Sequence, residues 1–253
     1  MFCFYMKSFL KQFRIMAKTL LHAFKTFFGG VVEQPEFLFL KQKNVAYLVV
    51  SKSACSSIKK AMVEDEVKED IGDDYQIHQN KRVKELTVRG RLKVEAEPYV
   101  FTYVRNPFSR LVSAYVNKFE DFNKIKKVGF EYADYLGGWF ELSDSFEDFA
   151  RKVCDIPDRL SDRHFMGQCF LIYSLSDTKI DDIFKLDNMD ETFPSLASRF
   201  GFGEVPHFNR TTEYRYEDYY SSPELVEMVY RRYKEDVDKL GYRDVYKSLI
   251  SRF

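Results

Sequence analysis

The chain has four cysteines in 253 residues, Cys3, Cys55, Cys154 and Cys169, and none stands at CxxC spacing or beside a histidine at a zinc-ligand interval. That pattern gives no support to a structural zinc site and favours a reduced, intracellular chain that requires no metal. Net charge is lacking too. Thirty-nine Lys and Arg meet thirty-nine Asp and Glu, which excludes a nucleic-acid coat and confines electrostatic recognition to local patches. No charge-free run is long enough to span a bilayer. The N-terminal segment does not read as a secretory signal, because charges interrupt its apolar part and no small-residue cleavage pattern follows. The Walker A pattern GxxxxGK[ST] is absent, which removes the main support for a kinase or ATPase.

What is present is enough apolar material for one substantial core, 45% of the chain. The seventeen tyrosines and twenty-five phenylalanines are read as packing rather than as base-stacking platforms. The first residues stand apart. Phe9, Leu10, Phe13, Met16, Ala17, Leu20, Leu21, Phe24, Phe27 and Phe28 recur at helical spacing. Lys7, Lys11, Arg14, Lys18 and Lys25 add five positive charges with no acid among them. Residues 1–30 therefore read as a basic amphipathic helix suited to an anionic membrane surface, with docking on the globular body or an oligomer contact as the alternative. Gly29 and Gly30 mark the break into a single domain, residues 31–253.

Along that domain, strand and helix patterns alternate. Strands are expected at Ala46–Val50, Tyr99–Val104 and Ile183–Leu186; helices at Ser57–Glu69, Pro107–Phe122, Glu191–Phe200 and Pro223–Leu240. The alternation predicts an α/β fold with a central, mainly parallel sheet flanked by helices. Such sheets place ligands at the carboxyl ends of their strands.

Two strand-to-helix turns carry chemistry. In the first, Ser51-Lys52-Ser53-Ala54-Cys55-Ser56-Ser57 opens a helix whose inward face is Ala54, Ile58, Ala61 and Met62. Free N–H groups at the helix start, hydroxyls and the Lys52 ammonium form a cradle for a phosphate-like anion. In the second, Asn106 suits the N-cap and Pro107 the first helical position. Phe108, Leu111, Val112, Tyr115 and Phe119 form the buried stripe, while Ser109 and Ser113 share another face. Arg105 can turn its fork toward Ser113 to hold a second phosphate. Two anion sites on adjacent strand ends imply a nucleoside with phosphates at both ends.

The pair "SKSACSSIKKAM" and "FTYVRNPFSRLVSAYVNKF" resembles the two donor-binding motifs of the Golgi-type carbohydrate sulfotransferases of family 2. Those enzymes use 3'-phosphoadenosine 5'-phosphosulfate on a P-loop-like α/β fold. Their first motif usually reads Pro-Lys-x-Ala/Gly-Cys-Thr, with the lysine on the 5'-phosphosulfate; Lys52, Cys55 and Ser56 match. Their second usually reads Arg-x-Pro-Phe-x-Arg-Leu-Val-Ser-Ala-Tyr, with the first arginine and the serine on the 3'-phosphate; Arg105 and Ser113 match. The segments "IHQNKRVKEL", "DRHFMGQCFLI" and "HFNRTTEYRYEDYY" agree in order, so the resemblance covers about residues 40–243. Ser51 replaces the usual proline, and Phe165 stands where tryptophan is common.

The resemblance implies in-line transfer of a sulfuryl group from 3'-phosphoadenosine 5'-phosphosulfate to an acceptor hydroxyl, with adenosine 3',5'-bisphosphate leaving. Lys52 would neutralise the 5'-phosphate, helped by Ser53 and by the backbone N–H groups of Ala54, Cys55, Ser56 and Ser57. His78 is the first candidate for the base that takes the acceptor proton, and His164 is its rival. Arg210, beside His207, could line the nucleotide. The expected acceptor is a carbohydrate, either a cell-surface polysaccharide or a glycolipid. A small molecule, a protein tyrosine or a non-catalytic nucleotide-binding scaffold are the alternatives. Missing signals make a cytoplasmic location, peripheral on the inner face of a membrane, the expectation.

Overall fold

The structure, a computed structural model, describes residues 33–67, 74–92, 97–120, 139–141, 143–205 and 214–253. The N-terminal segment 1–28, His207 and Arg210 lie outside those residues.

Five strands form one sheet in the order β3-β1-β2-β4-β5. β1 (Glu36–Leu40) and β2 (Val45–Leu48) make a hairpin over a 3-10 turn, closed by Asn44 at φ 47°, a left-handed conformation that asparagine tolerates. β3 (Thr87–Arg89) also pairs antiparallel with β1. β4 (Tyr99–Val104) pairs parallel with β2, and β5 (Asp182–Lys185) pairs parallel with β4. Four strands therefore run one way, and β1 alone opposes them.

The period of two along the central strands divides the core. Tyr47, Phe101 and Tyr103 point to one face, where helix α1 (Cys55–Val67) contributes Ile58, Ala61 and Met62. The short helices α2 (Asp74–Gln79) and α3 (Lys81–Glu85) add Ile77 and Val83 to that side. Ala46, Leu48, Val100 and Val104 point to the other face, against Cys169, Ile172, Leu240 and Tyr242. Each large apolar side chain so buried contributes about 1.5–3 kcal/mol. A second core lies among helices α4 (Pro107–Tyr115), α5 (Phe146–Cys154) and, later in the chain, Pro223–Arg232.

The later helices are α6 (Met189–Phe200), α7 (Pro223–Arg232), α8 (Lys234–Lys239) and α9 (Arg243–Ile250). Two expected helices differ from their sequence patterns. The helix expected over Pro107–Phe122 leaves α geometry after Tyr115 and widens into a π-helical turn over Val116–Glu120. The helix expected over Pro223–Leu240 breaks at Tyr233, whose hydroxyl reaches into the core to the carbonyl of Phe165 at 2.6 Å. Strand β1 went unread because four apolar residues between charges do not distinguish strand from helix.

Candidate active site

The carboxyl ends of β2 and β4 lie side by side, and each feeds a loop into a helix. After β2 the chain turns through Lys52 at φ 68° and Ala54 at φ 57°. Left-handed backbone at two non-glycine residues costs of order 1–3 kcal/mol each. The turn brings consecutive backbone N–H groups toward the start of α1, where those of Cys55, Ser56 and Ser57 have no acceptor within the helix. Ser53 is fully buried in this turn, and its hydroxyl finds no hydrogen-bond partner among the described residues. A buried hydroxyl without a partner, beside a lysine and a helix N-terminus, fits a bound phosphate or sulfonate oxygen.

After β4, the Asn106 side chain caps α4 by accepting from the Phe108 N–H at 3.0 Å, and Pro107 takes the first helical position. Arg105 is half-buried. Its Nε donates to the Ser109 hydroxyl at 3.0 Å and its Nη1 to the Lys52 carbonyl at 3.3 Å. The second contact joins the two motifs. Ser109, rather than Ser113, is the hydroxyl that the guanidinium holds; Ser113 is half-buried one turn further along the same row. Burial lowers the Arg105 pKa from its ordinary value, with Tyr214 and Asp187 opposing that effect.

Two histidines reach this region. His78 on α2 sits with Nε2 3.1 Å from the Ser56 hydroxyl. His164 sits with Nδ1 2.5 Å from a carboxylate oxygen of Asp162, which also accepts the His164 backbone N–H at 2.8 Å. That pairing puts the ring proton on Nδ1 and makes Nε2 the basic nitrogen. Burial lowers the His164 pKa to about 4, and Lys118 and Lys52 press in the same direction against the pull of Asp162. The imidazole is therefore neutral at physiological pH.

The segment carrying His164 is pinned from several sides. Arg110 is almost fully buried and donates to three carbonyls: Ser51 at 2.9 Å, Met166 at 2.7 Å and Arg163 at 2.9 Å. Burial lowers its pKa, with Tyr233 and Asp236 opposing. Asp158 accepts from the Gly167 N–H at 2.7 Å and from Arg232 at 2.6 Å. A Cβ on Gly167 would lie 2.9 Å from the Asp158 carboxylate, so a larger residue there would push that side chain out of place. Arg163 donates to Glu36 at 2.8 Å, and Glu36 also accepts from buried Lys59 of α1 at 2.6 Å. Burial raises the Glu36 pKa, but Lys59 and Arg163 outweigh it and hold the carboxyl at about 2.

Lys52, Ser53, Ala54, Cys55, Ser56, Ser57, Arg105 and Ser113 thus gather at the ends of two adjacent strands, with His78 and His164 beside the first loop. Arg110, Glu36 and Lys59 escaped the sequence reading. Arg110 fills the second arginine of the motif, but its partners are 53 to 59 residues away, so its role is not visible in the local pattern.

Among the described residues no helix is long and apolar enough to cross a membrane. A model described as the sulfotransferase family matches residues 35–243 of the chain. No curated protein and no solved structure matches it significantly.

Proposed function

The chain belongs to the sulfotransferase family, and from that premise we propose that it moves a sulfuryl group from 3'-phosphoadenosine 5'-phosphosulfate to a carbohydrate hydroxyl. The observation that carries the donor assignment is the 3.3 Å contact of Arg105 with the Lys52 carbonyl, which welds an anion cradle to a second cationic site. Lys52, Ser53 and the first-turn N–H groups of α1 would hold the 5'-phosphate and sulfonate end. Arg105, with Ser109 and Ser113 in a row along α4, would hold the 3'-phosphate. The donor supplies an activated sulfur, whose bond to the phosphate oxygen breaks as the acceptor oxygen bonds to it.

His164 is our choice for the general base. Asp162 fixes its tautomer and stabilises the imidazolium that forms when Nε2 takes the acceptor proton. Negative charge arriving at Lys52 removes part of the field that depresses the His164 pKa, so donor binding makes it a stronger base. His78, bonded to Ser56, supports the donor turn instead. A glycan or glycolipid acceptor follows the motif resemblance, and the basic segment 1–28 would bring the enzyme to an anionic membrane.

Calorimetric titration with adenosine 3',5'-bisphosphate, AMP and ATP tests the donor. Tight binding of the bisphosphate alone, lost in Arg105→Ala, is expected; equal weak binding of all three sinks the assignment. For the base, His164→Ala should lower turnover about 10²–10⁴-fold with nucleotide affinity unchanged. A larger turnover loss in His78→Ala reverses the choice. Deleting residues 1–28 should abolish binding to anionic vesicles, and unchanged binding refutes the membrane role.

A further inference from the structure

Arg105 stands where β4 has ended, so its backbone N–H and C=O no longer have a strand neighbour to pair with. Both are taken by one side chain from elsewhere. Gln168, fully buried, accepts from the Arg105 N–H through Oε1 at 2.9 Å and donates from Nε2 to the Arg105 carbonyl at 2.8 Å. The amide is held in turn by Asp236 of α8, almost fully buried, which accepts from the Gln168 N–H at 2.8 Å, the Cys169 N–H at 2.7 Å and Gln168 Nε2 at 3.4 Å. A flipped amide would put NH₂ against an N–H and oxygen against both a carbonyl and a carboxylate, so only one orientation is tenable.

We infer that Gln168 is a positioning residue that fixes Arg105 for recognition of the nucleotide's 3'-phosphate, an inference that rests on the donor assignment above. Glutamine acts here as a substitute strand. It replaces both lost ladder bonds, and Asp236 keeps the substitute in register. The Arg105 guanidinium then springs from an immobilised backbone and meets the Ser109 hydroxyl and the Lys52 carbonyl without further ordering. An arginine fixed before the ligand arrives loses less side-chain freedom on binding, which favours affinity for the phosphate it meets.

The test is the preference for adenosine 3',5'-bisphosphate over AMP, measured by calorimetry in the full chain and in Arg105→Ala and Gln168→Met. The preference should vanish in Arg105→Ala. In Gln168→Met it should fall by about tenfold or more, the worth of one charge-assisted bond, while AMP affinity stays within about twofold. A merely structural role for Gln168 would weaken both nucleotides alike or change neither, and either result overturns the inference. Should Arg105→Ala keep the preference, the donor assignment itself fails. Should Arg105→Ala lose it and Gln168→Met keep it, only the role of Gln168 fails. If Gln168→Met does not fold, amide exchange in the unaltered protein decides. Arg105 N–H protected like the amides of β4 before any nucleotide is added supports the inference; exchange at the rate of an open loop overturns it.

Discussion

The donor loop, residues 49–57, and the segment 158–169 both meet Arg110, yet they are held in opposite ways. The loop carries two left-handed residues, a buried hydroxyl without a partner among the described residues, and a row of helix-start N–H groups. In the segment, the backbone N–H groups of His164, Gly167, Gln168 and Cys169 and the carbonyls of Arg163, Phe165 and Met166 all bond to side chains. One region keeps unmet polar capacity, suited to an anion; the other is already finished. A transferase that must exchange one nucleotide for another at each turnover gains from that division. On the proposed assignment, the changeable ligand would complete the loop, while His164 would keep its aim on a rigid support.

The sharpest way to break this comparison is Arg110→Met. Three carbonyls, two of them in buried contacts, would lose their donor at about 1–3 kcal/mol each, so a destabilisation of about 3 kcal/mol or more is expected in chemical denaturation. A loss under about 1 kcal/mol would mean that the segment is not held as described. Lys52→Ala should do the reverse. Turnover should fall by roughly 10²–10³-fold, the scale for losing one group that stabilises developing charge, with the melting temperature almost unmoved. A large drop in melting temperature would assign Lys52 a structural role instead.

Glu36 gives the comparison a pH dependence. Its folded pKa is lowered from 4.5 to about 2, so its stabilising contribution is full above about pH 4.5 and is lost as pH falls toward 2. The shift corresponds to roughly 3 kcal/mol as an order of magnitude. Stability measured against pH should fall more steeply in the unaltered protein than in Glu36→Gln, and identical acid limbs would contradict the buried network with Lys59 and Arg163. The smallest effect belongs to Ser53→Ala. With no bond to lose in the free protein, stability should change by under about 0.5 kcal/mol, while nucleotide affinity weakens by about tenfold. Unchanged affinity would show that the hydroxyl does not meet the ligand.

Much of the donor side could be read from residues in order. A strand, a loop of small polar residues and a helix start form a local unit, and the 3.6-residue period set out α4 with Asn106 and Pro107 at its head. The parallel pairing of β2 with β4 followed from the alternation of strand and helix. The long-range side-chain supports of these turns could not be read that way. Arg110, Gln168 and Glu36 act on partners 53 to 59, 63 and 127 residues distant, and nothing in their own neighbourhoods announces it. Ser109 was placed on the right face but was not named as the partner of Arg105, because the choice between hydroxyls one turn apart depends on side-chain torsions that a period does not specify. At 2.5 Å from the ring nitrogen, Asp162 is the residue that sets the His164 tautomer.

Residue-resolved amide exchange, with and without adenosine 3',5'-bisphosphate, tests the division between the two regions most directly. The expected result is new protection at Cys55, Ser56 and Ser57 on adding nucleotide, with Gly167, Gln168 and Cys169 already protected and unchanged. Protection of both regions before nucleotide is added, or its appearance only in the segment 158–169, would contradict the account.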